Sequence, residues 1–393
     1  MKSDPVVILS ARRTPVGAFQ GAFATVSAPE LGAVAIKAAV ADSGVKASEI
    51  DEVIMGCVLS AGIGQAPARQ AALGAGLPTG TPSTTVNKMC GSAMRAVMQG
   101  ADQILAGNAQ VVVAGGIESM SNAPYLLPKA RAGYRMGNQE VLDHMFFDGL
   151  QSPWDGKLMG CFADTTSEKY AFTRQAQDDF AAESVRRALA AVNQGDFKSE
   201  IAPVTAKTRK GEVVVDKDET PFTLDVAKIP TLKPAFKKDG TVTAASSSSI
   251  SDGAAAVVLA RESFAASRNL KPLARILGYA SFAREPEWFT LAPVGAIQKL
   301  LAQLNWSPKD ADLYEINEAF AAVPMAAMQD LSLEHAKVNV NGGACALGHP
   351  IGATGARILT TLIYALKARG KKRGIASLCI GGGEATAIAV ELM

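Results

Sequence analysis

The chain has 393 residues, 48% of them apolar and 19% charged, enough to bury cores in two or more compact units and too apolar for wholesale disorder. Its 39 basic and 37 acidic residues leave a net charge of +2, without the concentrated basic stripe of a nucleic-acid binder. The five cysteines form an odd set without CxxC spacing, which argues against a disulfide framework and a zinc site, and only His144, His335 and His349 are available as imidazole bases.

In chain order, the opening MKSDPVVILSARRTPVG holds one short apolar run, Val6 to Leu9. That run is too brief for a secretory core or a membrane span, so no membrane partner and a cytoplasmic location are expected. Short β-branched runs then alternate with alanine-rich stretches: VVILSA at Val6, ELGAVAIKAAVADSG at Glu30 and EVIMGCV at Glu52. This is the rhythm of α/β units. In STTVNKMCGSAMRAVMQGADQILAGNAQVVVAGG a strand should end near Asn87, a helix should begin near Gly91, and Val111 to Ala114 should form a buried strand. Cys90 therefore falls at a strand-to-helix turn.

Residues 120–243 change character, with more aromatic and charged residues, several prolines and the amphipathic segment TRQAQDDFAAESVRRALAAV. The stretch reads as an insertion, either a plain structural one or a cap over a site built by the flanking halves. The last third, VNVNGGACALGHPIGATGARILTTLIYALKARGKKRGIASLCIGGGEATAIAV, returns to strand, Gly-rich turn, helix and strand. Arg95 before Gly115 and Arg357 before Gly381 stand at similar offsets, a sign of internal duplication.

Three turns hold reactive side chains. Cys90 precedes Gly91, Ser92 and Ala93 at a helix start, where free amides and the positive dipole end favour a thiolate and small neighbours leave room for substrate. Cys57, Cys161 and Cys345 lack such a setting and read as small buried hydrophobes. His349 lies in GHP among Gly342, Gly343, Gly348, Gly352 and Gly355, which let backbone approach a ligand closely. Cys379 ends IASLC and is followed by a run of glycines from Gly381. Two thiols and an imidazole in such turns suit a nucleophile, its base and a second acid/base. Asn317, in LYEINEAFAAVPMAAM, follows a strand from Leu313 to Ile316 and either caps a helix starting near Glu318 or orients a water for an oxyanion.

Together VNKMCGSAMRAV, NEAF, NGGACALGHPIGATGAR and CIGGGEATA, in this order and spacing, resemble the thiolase family, and the likeness runs from ARRTPVGAF at Ala11 to the C-terminus. The resemblance implies an α/β thiolase fold of two duplicated halves in a five-layer αβαβα arrangement: residues 1–119 with 244–270, and residues 271–393, with residues 120–243 as an inserted coenzyme A-binding loop domain. It implies that Cys90 carries the acyl group, that His349 activates it and, with a water held by Asn317, binds the enolate oxygen, and that Cys379 moves the α-proton. The amides of Cys90 and Gly381 would form a second oxyanion hole. Ser248, Phe236, Met159 and Leu158 match positions along the coenzyme A. No metal or permanently bound cofactor is implied; coenzyme A and acyl-CoA are the partners, and a homotetramer or homodimer is expected.

The chain departs from the family pattern at Cys345, Ser246 and Ala385, and at Pro221 and Phe222, where many relatives place an arginine on the adenine. Leu158 stands where short-chain enzymes often carry histidine, which leaves acetoacetyl-CoA and longer 3-ketoacyl-CoA substrates both open. A ketoacyl synthase would need two histidines beside its cysteine, and His144 and His335 lie outside the Gly-rich turns. A non-catalytic acyl-CoA carrier would not need the reactive side chains.

Overall fold

The computed structural model describes residues 4–208 and 211–393. The first half opens with β1 (Val6–Arg13), a short β2 (Gly17–Ala18) and α1 (Ala28–Ser43). Helix α1 starts at a capping box, in which Ser27 Oγ accepts from the Glu30 amide while the Glu30 carboxylate accepts from the Ser27 amide at 2.8 Å, and it ends at Gly44 in the left-handed region. β3 (Glu52–Gly56), α2 (Pro67–Gly74), β4 (Ser83–Val86), α3 (Ser92–Ala106) and β5 (Val111–Ser119) follow. The expected strand, turn and helix around Cys90 are thus present.

The stretch after β5 holds β6 (Tyr125–Leu126), β7 (Leu142–Asp143), α4 (Met159–Lys169), α5 (Arg174–Gln194), β8 (Val204–Thr208) and β9 (Gly211–Val215). β10 (Ser251–Arg261) then rejoins the main sheet, pairing antiparallel with both β5 and β1. After α6 (Glu262–Ser267), the second half runs β11 (Ala274–Ala283), α7 (Ala292–Leu304), β12 (Leu313–Ile316), α8 (Ala322–Leu331), α9 (Ala344–Leu347), α10 (Thr354–Ala368), β13 (Arg373–Ile380) and β14 (Glu384–Leu392).

The pairing shows the repeat directly. In the first half β4 and β3 run parallel, β3 and β5 parallel, then β5, β10 and β1 antiparallel. In the second, β12 and β13 run parallel, then β13, β14 and β11 antiparallel, and Val338 bridges parallel to Tyr314 where the first half has β4. The halves join through β1 and β11 over two residue pairs, Val7 with Arg275 and Ile8 with Ala274. Where β13 turns into β14 through Gly381–Gly383 alone, the first half carries everything from residue 120 to 250 between β5 and β10. The insertion therefore occupies the counterpart of the glycine turn.

Three apolar cores separate the layers. One packs α1 and α2 on the first half's sheet, through Leu31, Ala35 and Ile36 against Val53, Val113 and Val258. The middle core sandwiches α3 and α10, with Met94, Val97, Ile358 and Leu362, between Val112 and Leu259 on one side and Leu378 and Ile388 on the other. The third sets α7 and α8 against Ile375 and Ala387. Burial on both sides explains why β5 and β10 read as continuous apolar runs. Among the described residues no helix is long and apolar enough to cross a membrane.

Candidate active site

Cys90 sits on a strained elbow between β4 and α3. Asn87 Oδ1 accepts from the Met89 amide at 3.0 Å, and Ser92 Oγ accepts from the Lys88 amide at 2.8 Å while donating to the Met89 carbonyl at 2.6 Å. These bonds hold Met89 at φ +47, which a side chain rarely adopts. Gly91 is required because a Cβ there would run into Ile380 of the other half. Lys88 pairs with Glu384 across the halves.

The second half delivers the rest. The amide of Gly381, in the turn after β13, points at the Cys90 sulphur together with the cysteine's own amide. Burial nevertheless pushes the Cys90 thiol up to about 11, outweighing both amides. The helix start thus does not yield a resting thiolate, as the sequence pattern suggests it should, because desolvation is the larger effect. A base is needed. Cys379, one residue before the end of β13, is 1% exposed, and its thiol is raised well above the ordinary value by burial and by the neighbouring Cys90.

His349 is 5% exposed, and burial, with help from Arg357, pushes it down to about 3, so the imidazole is neutral at physiological pH. Thr354 Oγ1 donates to the Pro350 carbonyl at 2.9 Å and lies 2.7 Å from His349 Nδ1. The hydroxyl's one proton is committed, so Nδ1 carries the imidazole proton and Nε2 keeps its lone pair. Ile351 shares an apolar cluster with Met89 and Cys90. Asn317 Nδ2 is 3.5 Å from Nε2, while Asn317 Oδ1 is buried with no protein hydrogen-bond partner. Asn317 does not cap a helix: α8 begins five residues later, with Ala321 at its N-cap.

The residues expected along the coenzyme A lie near these turns. Ser248 donates its amide to the Ala319 carbonyl at 3.0 Å, and the next carbonyl, of Ser249, accepts from the His349 amide at 3.2 Å. Phe236 stands edge-on to Phe320 at 5.8 Å and covers Gly160, where a Cβ would strike its ring. Leu158 takes the N-cap position of α4, and Met159 Sδ lies 3.7 Å from where a side chain on Gly381 would begin. Trp154, 65% exposed, edges the adjoining Gly382. Pro221 and Phe222 lie in a short helical turn, with Phe222 exposed.

Sequence reasoning missed Glu118. Its buried carboxylate accepts from the amides of Val58, Leu59 and Gly352 at 3.1, 3.1 and 2.8 Å, tying the loop after β3 to the His349 loop. A lone acid inside VVVAGGIESM was the available signal. Thr354, five residues after His349, was equally legible. Among the described residues no group of three or more His, Cys, Asp and Glu is placed to hold a metal ion.

A thiol beneath two amides, a neutral imidazole with a free lone pair and a second buried thiol form a set suited to acyl transfer with carbon-proton movement. Comparison with known proteins agrees with that chemistry: residues 6–263 match the model of the thiolase N-terminal domain and residues 270–392 that of the thiolase C-terminal domain. The chain belongs to the thiolase family. An acetyl-CoA acetyltransferase of Cupriavidus necator is 51% identical to it over 389 residues, covering 98% of this chain and 99% of the relative. An acetyl-CoA acetyltransferase of Gibberella zeae, named as cytosolic, is 47% identical with 98% of both chains covered. The crystal structure of the Bacillus anthracis acetyl-CoA acetyltransferase superposes with a TM-score of 0.97 at 44% identity, covering 99% of each chain. That of an Ascaris suum thiolase in complex with coenzyme A gives 0.94 at 43%, covering 99% of this chain and 100% of the other.

Proposed function

We propose that this thiolase interconverts acetoacetyl-CoA plus coenzyme A with two molecules of acetyl-CoA through an acyl-Cys90 intermediate. In thiolysis His349 Nε2 takes the Cys90 proton, and the thiolate attacks the 3-keto carbon. The amides of Cys90 and Gly381 receive the tetrahedral oxyanion. Collapse breaks the carbon–carbon bond and releases an enolate, whose oxygen is held by the protonated His349 and by a water on Asn317. Cys379 donates the proton that completes the first acetyl-CoA and recovers one when incoming coenzyme A is deprotonated; the coenzyme A thiolate attacks the acyl-enzyme, the acyl–Cys90 bond breaks, and the expelled Cys90 thiolate takes its proton back from His349. Condensation runs the same steps backward. The observation that carries this reading is the Gly381 amide of one half aimed at the Cys90 sulphur of the other.

Residues 120–243 act as the loop domain, placing Phe236, Met159 and Leu158 along the coenzyme A opposite Ser248. β4 supports assembly of copies into a homodimer or homotetramer: it pairs with β3 on one side, and no described strand pairs with the other. Such an edge is a template for a second strand. The cytoplasmic setting is supported by the name of the Gibberella relative.

The deciding experiment compares coenzyme A-dependent loss of acetoacetyl-CoA and of 3-ketooctanoyl-CoA, with Cys90→Ala as control. Faster turnover of the short substrate, abolished in the control, is expected. Preference for the longer one would reassign the enzyme to broad 3-ketoacyl-CoA thiolysis, and no turnover of either by the folded protein would overturn the proposal in favour of a carrier.

A further inference from the structure

Helix α4 carries a buried carboxylate that the reaction described above does not use. Asp164 is 1% exposed. Its Oδ1 accepts from the Thr241 amide at 2.8 Å and from the Val242 amide at 3.0 Å, while Oδ2 has no hydrogen-bond partner in the protein. Asp164 stands four positions after Gly160, on the same face of the helix. Gly160 lies under the Phe236 ring, so this face of α4 meets both a side chain and the backbone of residues 235–242.

That stretch is a closed strap. The Ala235 amide donates to the Val242 carbonyl at 2.9 Å, and the Gly240 amide to the Lys237 carbonyl at 3.0 Å. Glycine is required at 240 by the same carboxylate, because a Cβ there would lie 2.6 Å from Asp164 Oδ2. Lys237 also reaches α4, with Nζ 3.0 Å from Glu168 and 3.2 Å from Thr165 Oγ1. Its ion pair, with side chains 36% and 66% exposed, is too wet to fix the strap. Gln177 on α5 donates to Thr241 Oγ1 at 2.8 Å and steadies one end. The buried, charge-assisted bonds to Asp164 are therefore the contacts that set where the strap lies along α4. Met159, the first residue of α4, and Phe236 pack on the same apolar core as Val242.

We propose that Asp164 is the positioning residue of the coenzyme A wall: by accepting the Thr241 and Val242 amides it docks the strap on α4, so that Phe236 and Met159 form one surface before ligand arrives. The role depends on Phe236 and Met159 lying along the coenzyme A. Without the carboxylate the ligand must order the strap itself, and that ordering weakens binding. Once ligand is bound the wall is the same, and Cys90, His349 and Cys379 are untouched. Affinity falls and chemistry does not, whereas a merely loosened core lowers both.

The test measures protection of Cys90 by coenzyme A against iodoacetamide, and KM for coenzyme A and kcat in acetoacetyl-CoA thiolysis. Wild type is compared with Asp164→Ala, Asp164→Asn, Phe236→Ala and the Asp164→Ala/Phe236→Ala double variant. We expect Asp164→Ala to need about tenfold more coenzyme A for half-protection and to show a similar rise in KM, with kcat and the unprotected alkylation rate within about twofold of wild type. Asp164→Asn keeps the accepting Oδ1 and alters only the unpartnered oxygen, so its half-protection should stay within about threefold of wild type. The double variant should bind coenzyme A no more than about twofold worse than Phe236→Ala, because Asp164 acts through that ring. The inference is overturned by unchanged protection in Asp164→Ala, by an equal fall in kcat or alkylation, by Asp164→Asn as impaired as Asp164→Ala, or by losses that multiply in the double variant. If Asp164→Ala does not fold, Gly240→Ala decides: it drives a methyl against Oδ2 and should raise KM at constant kcat, and wild-type protection there is equally fatal. Phe236→Ala separates the two levels. Wild-type protection in that variant would overturn the placing of Phe236 along the coenzyme A, whereas a loss there with none in Asp164→Ala overturns the role of Asp164 alone.

Discussion

Replacing Asn317 by alanine should split the two halves of the reaction. Its Oδ1 is buried without a protein partner and its Nδ2 lies at the outer limit of a hydrogen bond to His349, 3.5 Å. Truncation therefore removes little bonding, and the cost in stability should be about 1–2 kcal/mol, most of it from the cavity left in a fully buried site. The site where enolate charge develops loses one ordered donor, however, and such a donor is worth about 2.7 to 4 kcal/mol, a loss of roughly 100- to 1,000-fold in kcat. Acyl transfer onto Cys90, proposed to use the other hole formed by the Cys90 and Gly381 amides, should be nearly untouched. The assay pairs isotope exchange between coenzyme A and acetyl-CoA, which needs only acyl transfer, with thiolysis of acetoacetyl-CoA. Exchange within about threefold of wild type alongside thiolysis lowered at least 100-fold is the expected outcome. An equal fall in both, or thiolysis within tenfold of wild type, would refute the reasoning.

Cys379→Ala should show the same split for a different reason, losing the carbon-proton transfer while keeping an alkylatable Cys90; mass spectrometry after acetyl-CoA should still find one acetyl group on the protein. Gly160→Ala places a methyl against the Phe236 ring and should raise KM for coenzyme A about tenfold with kcat within about twofold; a fall in kcat at unchanged KM would remove Phe236 from the binding wall. His349 makes stability depend on pH. Its folded value of about 3 lies below the unfolded 6.5, so the unfolded chain binds the proton first, and the stabilisation present above pH 6.5 is lost as pH falls toward 3. Between pH 7 and pH 5 this group should cost roughly 2 kcal/mol in urea melts, and a His349→Asn protein should lack that increment; an identical pH dependence in the two would refute it.

The sequence determined the parts because each is a local decision. Alternation of β-branched runs with alanine-rich helices set the α/β class, and the turn around Cys90 was legible because strand, small residues and helix follow one another within a few positions. Glycines at 348 and 381 marked turns, and Gly348 sits at φ +100 where a Cβ would meet the Ser251 side chain. Asn317 was only half legible, since a strand-end asparagine serves equally as a cap, and only the structure shows that α8 starts at Ala322. Tertiary structure alone decided what depends on joining distant segments. The Gly381 amide reaches Cys90 only because α3 and α10 are stacked back to back between the two halves of one sheet. The same burial raises the thiol that the helix start would have ionised and keeps His349 neutral. Desolvation is a property of the assembled core, and no stretch of sequence carries it by itself.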